Sequence, residues 1–224
     1  MPTNLNPFSL AARSIDDPLY KVAQLLFAAS FDPKQAAWTL APHKDAVIAY
    51  CFDILDMEEL NGIDAPGDGY APANAALLLA EWKVAAAVPR FWRILRDDTH
   101  SRPGKITFLS NTVLLALEAW GPSLIEDTLR FAETVEGRLL ATMGAILSLN
   151  AQADPRVYPW LQARFEKARD EELIQIWAHS LLLADSQVAI PYLVARILNR
   201  RQYSRKLKDA LRGLIRNVRE TGLP

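Results

Sequence analysis

The sequence predicts an all-α fold of stacked antiparallel helix pairs, and three observations carry that prediction. Four prolines, Pro89, Pro122, Pro159 and Pro191, recur at gaps of 33, 37 and 32 residues. Each opens an apolar-periodic stretch, as in Val-Pro-Arg-Phe-Trp-Arg-Ile-Leu (88–95) and Ile-Pro-Tyr-Leu-Val-Ala-Arg-Ile-Leu (190–198). Proline is tolerated in the first turn of a helix, where its missing N–H has no partner to lose. A fixed period of this size with one helix start per period is the mark of a helical repeat. Composition agrees: only 9 of 224 residues are Gly, while Ala and Leu are abundant, which favours helix over strand.

The N-terminal region, 1–60, is predicted to hold irregular capping helices. Asp16-Asp17-Pro18 opens one to about Ser30, Asp32-Pro33 a short one, and Pro42 a longer one through Tyr50, Phe52, Ile54 and Leu55. Residues 61–71, rich in Gly, Asp and Pro, are predicted as a loop. The repeats then run over 72–200. Their first helices are predicted at 72–82, 106–119, 137–149 and 171–184, and the proline stretches supply the second helices. Two places after each proline stand Phe91, Leu124, Leu161 and Leu193; three places after, Trp92, Ile125, Gln162 and Val194; six places after, Leu95, Thr128, Phe165 and Ile197. These offsets share one side of a helix, which is therefore the buried side. Residues 201–224 are predicted as a basic amphipathic capping helix, with Leu207, Leu211, Leu214 and Val218 as its apolar stripe.

The Ala/Leu-rich helix, short turn and apolar-Pro helix, clearest at Leu77–Leu95 and Leu181–Leu198, resembles bacterial HEAT-like repeats, including the short variety of phycobilisome-lyase-type proteins. The resemblance covers about 72–200 and departs around Pro122, where the turn is shorter and Thr128 replaces an apolar residue. It implies a right-handed α-α superhelix of about five helix pairs and a role as a binding surface.

Composition and charge narrow the function. The net charge of −1 hides an asymmetry: residues 196–220 carry nine Lys/Arg against two acidic residues, a surplus of +7, and the first 195 residues carry −8. Such polarity points to an anionic partner. The lone Cys51 excludes an internal disulfide and fits a reducing compartment, so a cytoplasmic protein is expected. No secretory signal is read at the N-terminus, and no apolar stretch reaching the ~18 residues of a membrane span.

No serine elbow, phosphate loop or dinucleotide fingerprint is present. The acidic group Asp53, Asp56, Glu58, Glu59, Asp64 and Asp68 lacks the spacing of a calcium loop and reads as a solvated helix end. His43, His100 and His179 are scattered without zinc-ligand spacing, so no metal and no cofactor are expected. His179 is read as lying at the core edge and Cys51 as a small buried hydrophobe.

The binding candidates lie on the opposite face of the second helices. Five places after the prolines stand Ile94, Asp127, Arg164 and Arg196, and eight places after, Asp97, Arg130, Lys167 and Asn199. The later repeats are basic there, and Arg200 and Arg201 extend the patch. A solvated charged face is the alternative. Trp160, one place after its proline and near Arg156 and Arg164, is a candidate aromatic anchor, a tryptophan packed against the adjacent repeat being its alternative. The expected function is a non-enzymatic binding or scaffold protein. Its acidic protein partner would be engaged through Arg130, Trp160, Arg164, Lys167, Arg196, Arg200 and Arg201; nucleic acid is a second class of partner. An enzyme alternative comes from a likeness in size to HEAT-like alkylpurine DNA glycosylases, with Trp120 and Glu118, or Trp92 and Asp97, imitating their cleft. Leu5, Phe8 and Leu10 form an apolar arm expected to cap the N-terminal end and leave a monomer, a dimer contact being its alternative.

Overall fold

A computed structural model describes residues 18–61, 64–65, 67–101, 107–199 and 203–221. Among them there are twelve α-helices, short 3-10 turns and no strand, so the all-α prediction holds. The chain divides into two compact units, one ending at Trp120 and the other beginning at Gly121. The arm carrying Leu5, Phe8 and Leu10 lies outside the described residues, as do Arg200 and Arg201.

The first unit holds α1 (Pro18–Leu26), α2 (Pro33–Leu40), α3 (Lys44–Asp56), α4 (Tyr70–Glu81), α5 (Val88–Ser101) and α6 (Phe108–Trp120). Asp32 caps α2 by accepting from the amides of Lys34 and Gln35, as the Asp-Pro pair implies. Helix α4 is central and packs against α1, α2, α3 and α6. Small side chains permit this: Ala71, Ala73, Ala75, Ala76 and Ala80 are all buried. The buried Asn74 donates to the carbonyls of Leu26 and Ala28, tying the end of α1 to α4. Lys83 donates its ammonium to the carbonyls of Ala119 and Trp120 at the C-terminal end of α6.

The second unit holds α7 (Ile125–Ala132), α8 (Gly137–Ser148), α9 (Val157–Lys167), α10 (Glu171–Ala184), α11 (Ser186–Asn199) and α12 (Arg205–Thr221). Helix α10 is central, against α8, α9, α11 and α12. Asp170 caps it through the amides of Glu172 and Leu173, and Asp185 accepts from the Val188 amide at the start of α11. The α8–α10 approach is close because of Gly144: a Cβ there would overlap the ring of Trp177. Helix α12 buries Leu207, Leu211, Ile215 and Val218 against the unit's core. Ile215 thus takes the place expected of Leu214, which is half-buried, because a helix turns 100° per residue and the stripe drifts.

The repeat offsets are borne out at positions two and six, where all eight residues are buried. Thr128 is buried too, its hydroxyl donating to the Leu124 carbonyl at 2.7 Å. At position three Trp92 and Ile125 are buried, but Gln162 is half-buried and Val194 is 36% exposed. Two prolines depart from the first-turn prediction. Pro191 is the sixth residue of α11, because Asp185 caps the helix earlier. Pro122 lies in a 3-10 turn, Gly121–Leu124, ahead of α7.

That turn also bears on membrane crossing. One stretch, Phe108–Ala132, is by length and composition apolar enough to span, at hydropathy 1.2, where none was expected. It is two helices broken at Gly121, which sits at φ 71, and 44% of its most apolar window is buried. A core helix passes the same test.

Candidate functional site

The candidate surface is built on α9 and α11 of the second unit. The two helices share the phrase Pro-aromatic-Leu-x-Ala-Arg: Pro159-Trp160-Leu161-Gln162-Ala163-Arg164 and Pro191-Tyr192-Leu193-Val194-Ala195-Arg196. Leucine at position two is buried in both, which fixes the rotation of each helix. The aromatic at position one and the arginine at position five, four residues apart, then fall together at the core's edge. The Arg164 guanidinium stands 5.0 Å from the centre of the Trp160 ring, and that of Arg196 5.3 Å from the Tyr192 ring.

The rings are anchored from below. Trp160 meets the buried Trp177 edge-on at 5.8 Å, and Tyr192 meets the buried Phe165 at 5.9 Å. Trp160 is therefore half-buried, with one part on the core and another under Arg164. Edge-to-face pairs of this kind add about 0.5–1.5 kcal/mol to the burial of their area. A flat ring held in this way presents its arginine in a limited set of orientations, which lowers the entropy lost when a ligand is gripped.

Between the helices stands Glu166. It accepts the Tyr192 hydroxyl and pairs with Arg196 at 2.8 Å. Burial, reinforced by the hydrogen bond to Glu166, pushes the Tyr192 phenol above its usual range. Arg130 on α7 is likewise matched, by Asp127 at 3.4 Å and Glu126 at 3.9 Å. Lys167 is exposed and makes no ion pair among the described residues. The face predicted to be basic in the later repeats is thus interleaved with carboxylates. The structure brings Trp160, Arg164, Lys167 and Arg196 onto neighbouring helices, and leaves Arg164 and Lys167 as its uncompensated charges among the described residues.

Sequence reasoning missed Tyr192 and Glu166. Tyr192 was legible in the repeated aromatic-Leu-x-Ala-Arg phrase. Glu166 was not, since its partners lie on another helix. Arg156 has a structural role: it binds Asp154 at 2.7 Å and Glu126 at 3.0 Å. Its hydrogen bonds hold the Asp154 carboxyl below the ordinary range.

The other candidates have ordinary places. Asp56 pairs with Arg90 and Arg93 of α5, and no group of three or more His, Cys, Asp or Glu among the described residues is set to hold a metal. Cys51 is fully buried, and burial pushes its thiol to about 12, so it is no nucleophile at neutral pH. His179 is exposed rather than at the core edge. Trp120 and Trp92 are both buried, at 6% and 8% exposure, and Trp120 packs on Phe91. Neither ring is available to line an open cleft beside Glu118 or Asp97, and burial merely raises the Glu118 carboxyl.

Compared with known proteins, the chain matches no family model, no curated protein and no solved structure.

Proposed function

We propose that the chain is a non-enzymatic binding or scaffold protein that receives an acidic protein partner on the outer side of α9 and α11. In this reading the helix pairs stack as HEAT-like repeats in a right-handed superhelix, whose equivalent faces line up into one surface. The observation that carries the reading is the repeated aromatic–arginine pair, Trp160 with Arg164 and Tyr192 with Arg196. Two guanidiniums in equivalent places on consecutive second helices suit two successive carboxylates of a partner. Lys167 adds a third cation beyond Arg164, and Arg200 and Arg201 follow α11 in the chain. Arg130 and Arg196 are weaker contributors than Arg164, since a partner must compete with Asp127 and Glu126 for the one and with Glu166 for the other.

Contacts between exposed charges orient and steer more than they hold, so binding falls steeply with salt. The test is a pull-down with the full chain at low and moderate salt, repeated with Arg164→Glu/Arg196→Glu. Partners are expected to be released by salt and to be lost from the double variant. If every recovered partner stayed on the double variant, the reading would be wrong.

A further inference from the structure

Helix α12 sorts its charges by side. At about 100° per residue, Arg205, Lys208, Arg212, Arg216 and Arg219 fall within about 80° of one another, on one flank of the buried stripe. The other flank carries Ala210, Gly213, Leu214, Asn217 and Thr221, with Lys206 as its one charge. Asp209 and Glu220 stand between the two. Four members of the basic row are exposed and Lys208 is half-buried. A helix that needs charge only for solubility mixes both signs over its outer side; this one collects cations on a single flank.

Inside the chain the row is left largely unmatched. Asp209 meets Arg212 at 2.9 Å and Arg205 at 3.9 Å, so one carboxylate serves two guanidiniums. Lys208, Arg216 and Arg219 make no ion pair among the described residues. Successive members of the row stand three or four places apart, and each such like-charge pair opposes the helix. The first turn adds to this. Helix α10 opens on Glu171 and Glu172 and α7 on Glu126 and Asp127, where the helix dipole favours anions. Helix α12 has no acid in its first turn and places Arg205, Lys206 and Lys208 there, which the same dipole opposes. Local rules broken twice, with one carboxylate set against five cations, mark a surface that answers to something outside the chain.

We propose that this flank of α12 docks the sugar-phosphate backbone of a DNA duplex, without regard to base sequence. Charge and chemistry select that occupant. Four of the five cations are arginines, whose planar forks match phosphate oxygens two at a time. A duplex carries one negative charge per about 1.7 Å of axis, so the roughly 21 Å from Arg205 to Arg219 meets a phosphate for every member of the row. A folded protein's surface mixes both signs and offers no such line. A bilayer suits the helix less, because Leu207, Leu211, Ile215 and Val218 are committed to the core and leave no apolar face to insert. Unpaired bases suit it less too, because α12 contains no aromatic ring for them to stack on. The flank shares no residue with the α9 and α11 surface, and it does not rest on the acidic-partner reading.

Fluorescence anisotropy of a labelled, mixed-sequence DNA duplex with the full chain tests it. Between about 50 and about 200 mM salt, binding is expected to weaken about a hundredfold, as for about four neutralised phosphates. Arg216→Gln/Arg219→Gln should flatten the salt slope by about 2 and should melt no lower than the parent, since like-charge pairs are removed. Arg216→Glu should weaken binding about tenfold, and Lys206→Glu, the same charge change on the other flank, should weaken it less. Arg164→Glu/Arg196→Glu should keep the duplex, which separates this surface from that of the acidic partner. No binding at the lowest salt overturns the proposal. So do a duplex indifferent to the Arg216 and Arg219 variants, equal effects of Lys206→Glu and Arg216→Glu, or a glutamine variant that melts lower. Tighter binding to single-stranded DNA, phosphatidylserine vesicles or polyglutamate than to the duplex also overturns it, in favour of that other partner.

Discussion

Helices α9 and α11 share the phrase Pro-aromatic-Leu-x-Ala-Arg and bury the same side, yet their outer sides differ. On the inner side Leu161 and Phe165 of α9 correspond to Leu193 and Ile197 of α11, and all four are buried. On the outer side α9 carries Arg156 and Glu166, both in ion pairs, where α11 carries exposed Val188 and Leu198. The inner side answers to the unit's core, which both helices share. The outer side answers to what lies beside it: Arg156 meets Glu126 and Glu166 meets Arg196, whereas Val188 and Leu198 stay exposed.

The largest expected effect comes from the shared inner side. Phe165→Ala should cost about 3–5 kcal/mol in chemical denaturation, as for a large ring deleted from a closed core. Ile197→Ala at the same position of α11 should cost less, because the end of the row can relax into the space. Equal costs, or the reverse order, would break the idea that α9 is enclosed and α11 terminal. Next is Gly144→Ala, which forces a methyl into the Trp177 ring. A loss of about 1–3 kcal/mol is expected, together with a change in tryptophan fluorescence, since Trp177 carries Trp160.

Glu166→Gln sharpens the comparison on the outer side. The carboxylate now holds both Arg196 and the Tyr192 hydroxyl, and its hydrogen bond and charge help to raise the phenol. Without it the phenol pKa should fall, read by ultraviolet titration. Its sign is fixed: a folded phenol raised above its unfolded value disfavours ionisation, so stability is lost as pH rises toward that folded value, and the variant should lose less across the unfolded-to-folded interval. Arg196 would also be released toward a partner, so acidic-partner binding should strengthen at low salt; weaker binding would argue that Glu166 positions Arg196 usefully. The smallest effect belongs to Tyr158, whose buried hydroxyl has no hydrogen-bond partner among the described residues. Burial, with the charge of Asp185 behind it, pushes that phenol to about 12. Tyr158→Phe should leave stability unchanged or raise it by up to about 1 kcal/mol; a clear loss by denaturation would mean that the hydroxyl is satisfied in solution.

Much of the helix plan was legible in particular residues. The prolines located α5, α7, α9 and α11 to within a turn or so, and the leucines at position two gave their rotation, because burying one side is a local, periodic demand. Boundaries shifted where a cap lay further off, as when Asp185 opened α11 five residues before Pro191. The candidate surface was legible in part. Trp160, Arg164, Lys167 and Arg196 could be placed outside the core by the same register. That Arg130 and Arg196 are matched by carboxylates could not be inferred for Arg196, since Glu166 meets it across two helices.

The sequence by itself determined an all-α chain with its helix starts and its buried side, because hydrogen bonding within a helix and the apolar period are written into consecutive residues. Only the tertiary structure decided which charges stay uncompensated and which apolar residues stay uncovered. Arg164 and Arg196 occupy the same position of the same phrase, yet among the described residues one rests on a ring without an ion pair and the other is also tied to Glu166. Val188 and Leu198 could have been core residues by composition, and their exposure is a property of what packs beside α11. Pairing and coverage depend on neighbours brought close by folding, and that proximity is absent from any single stretch of chain.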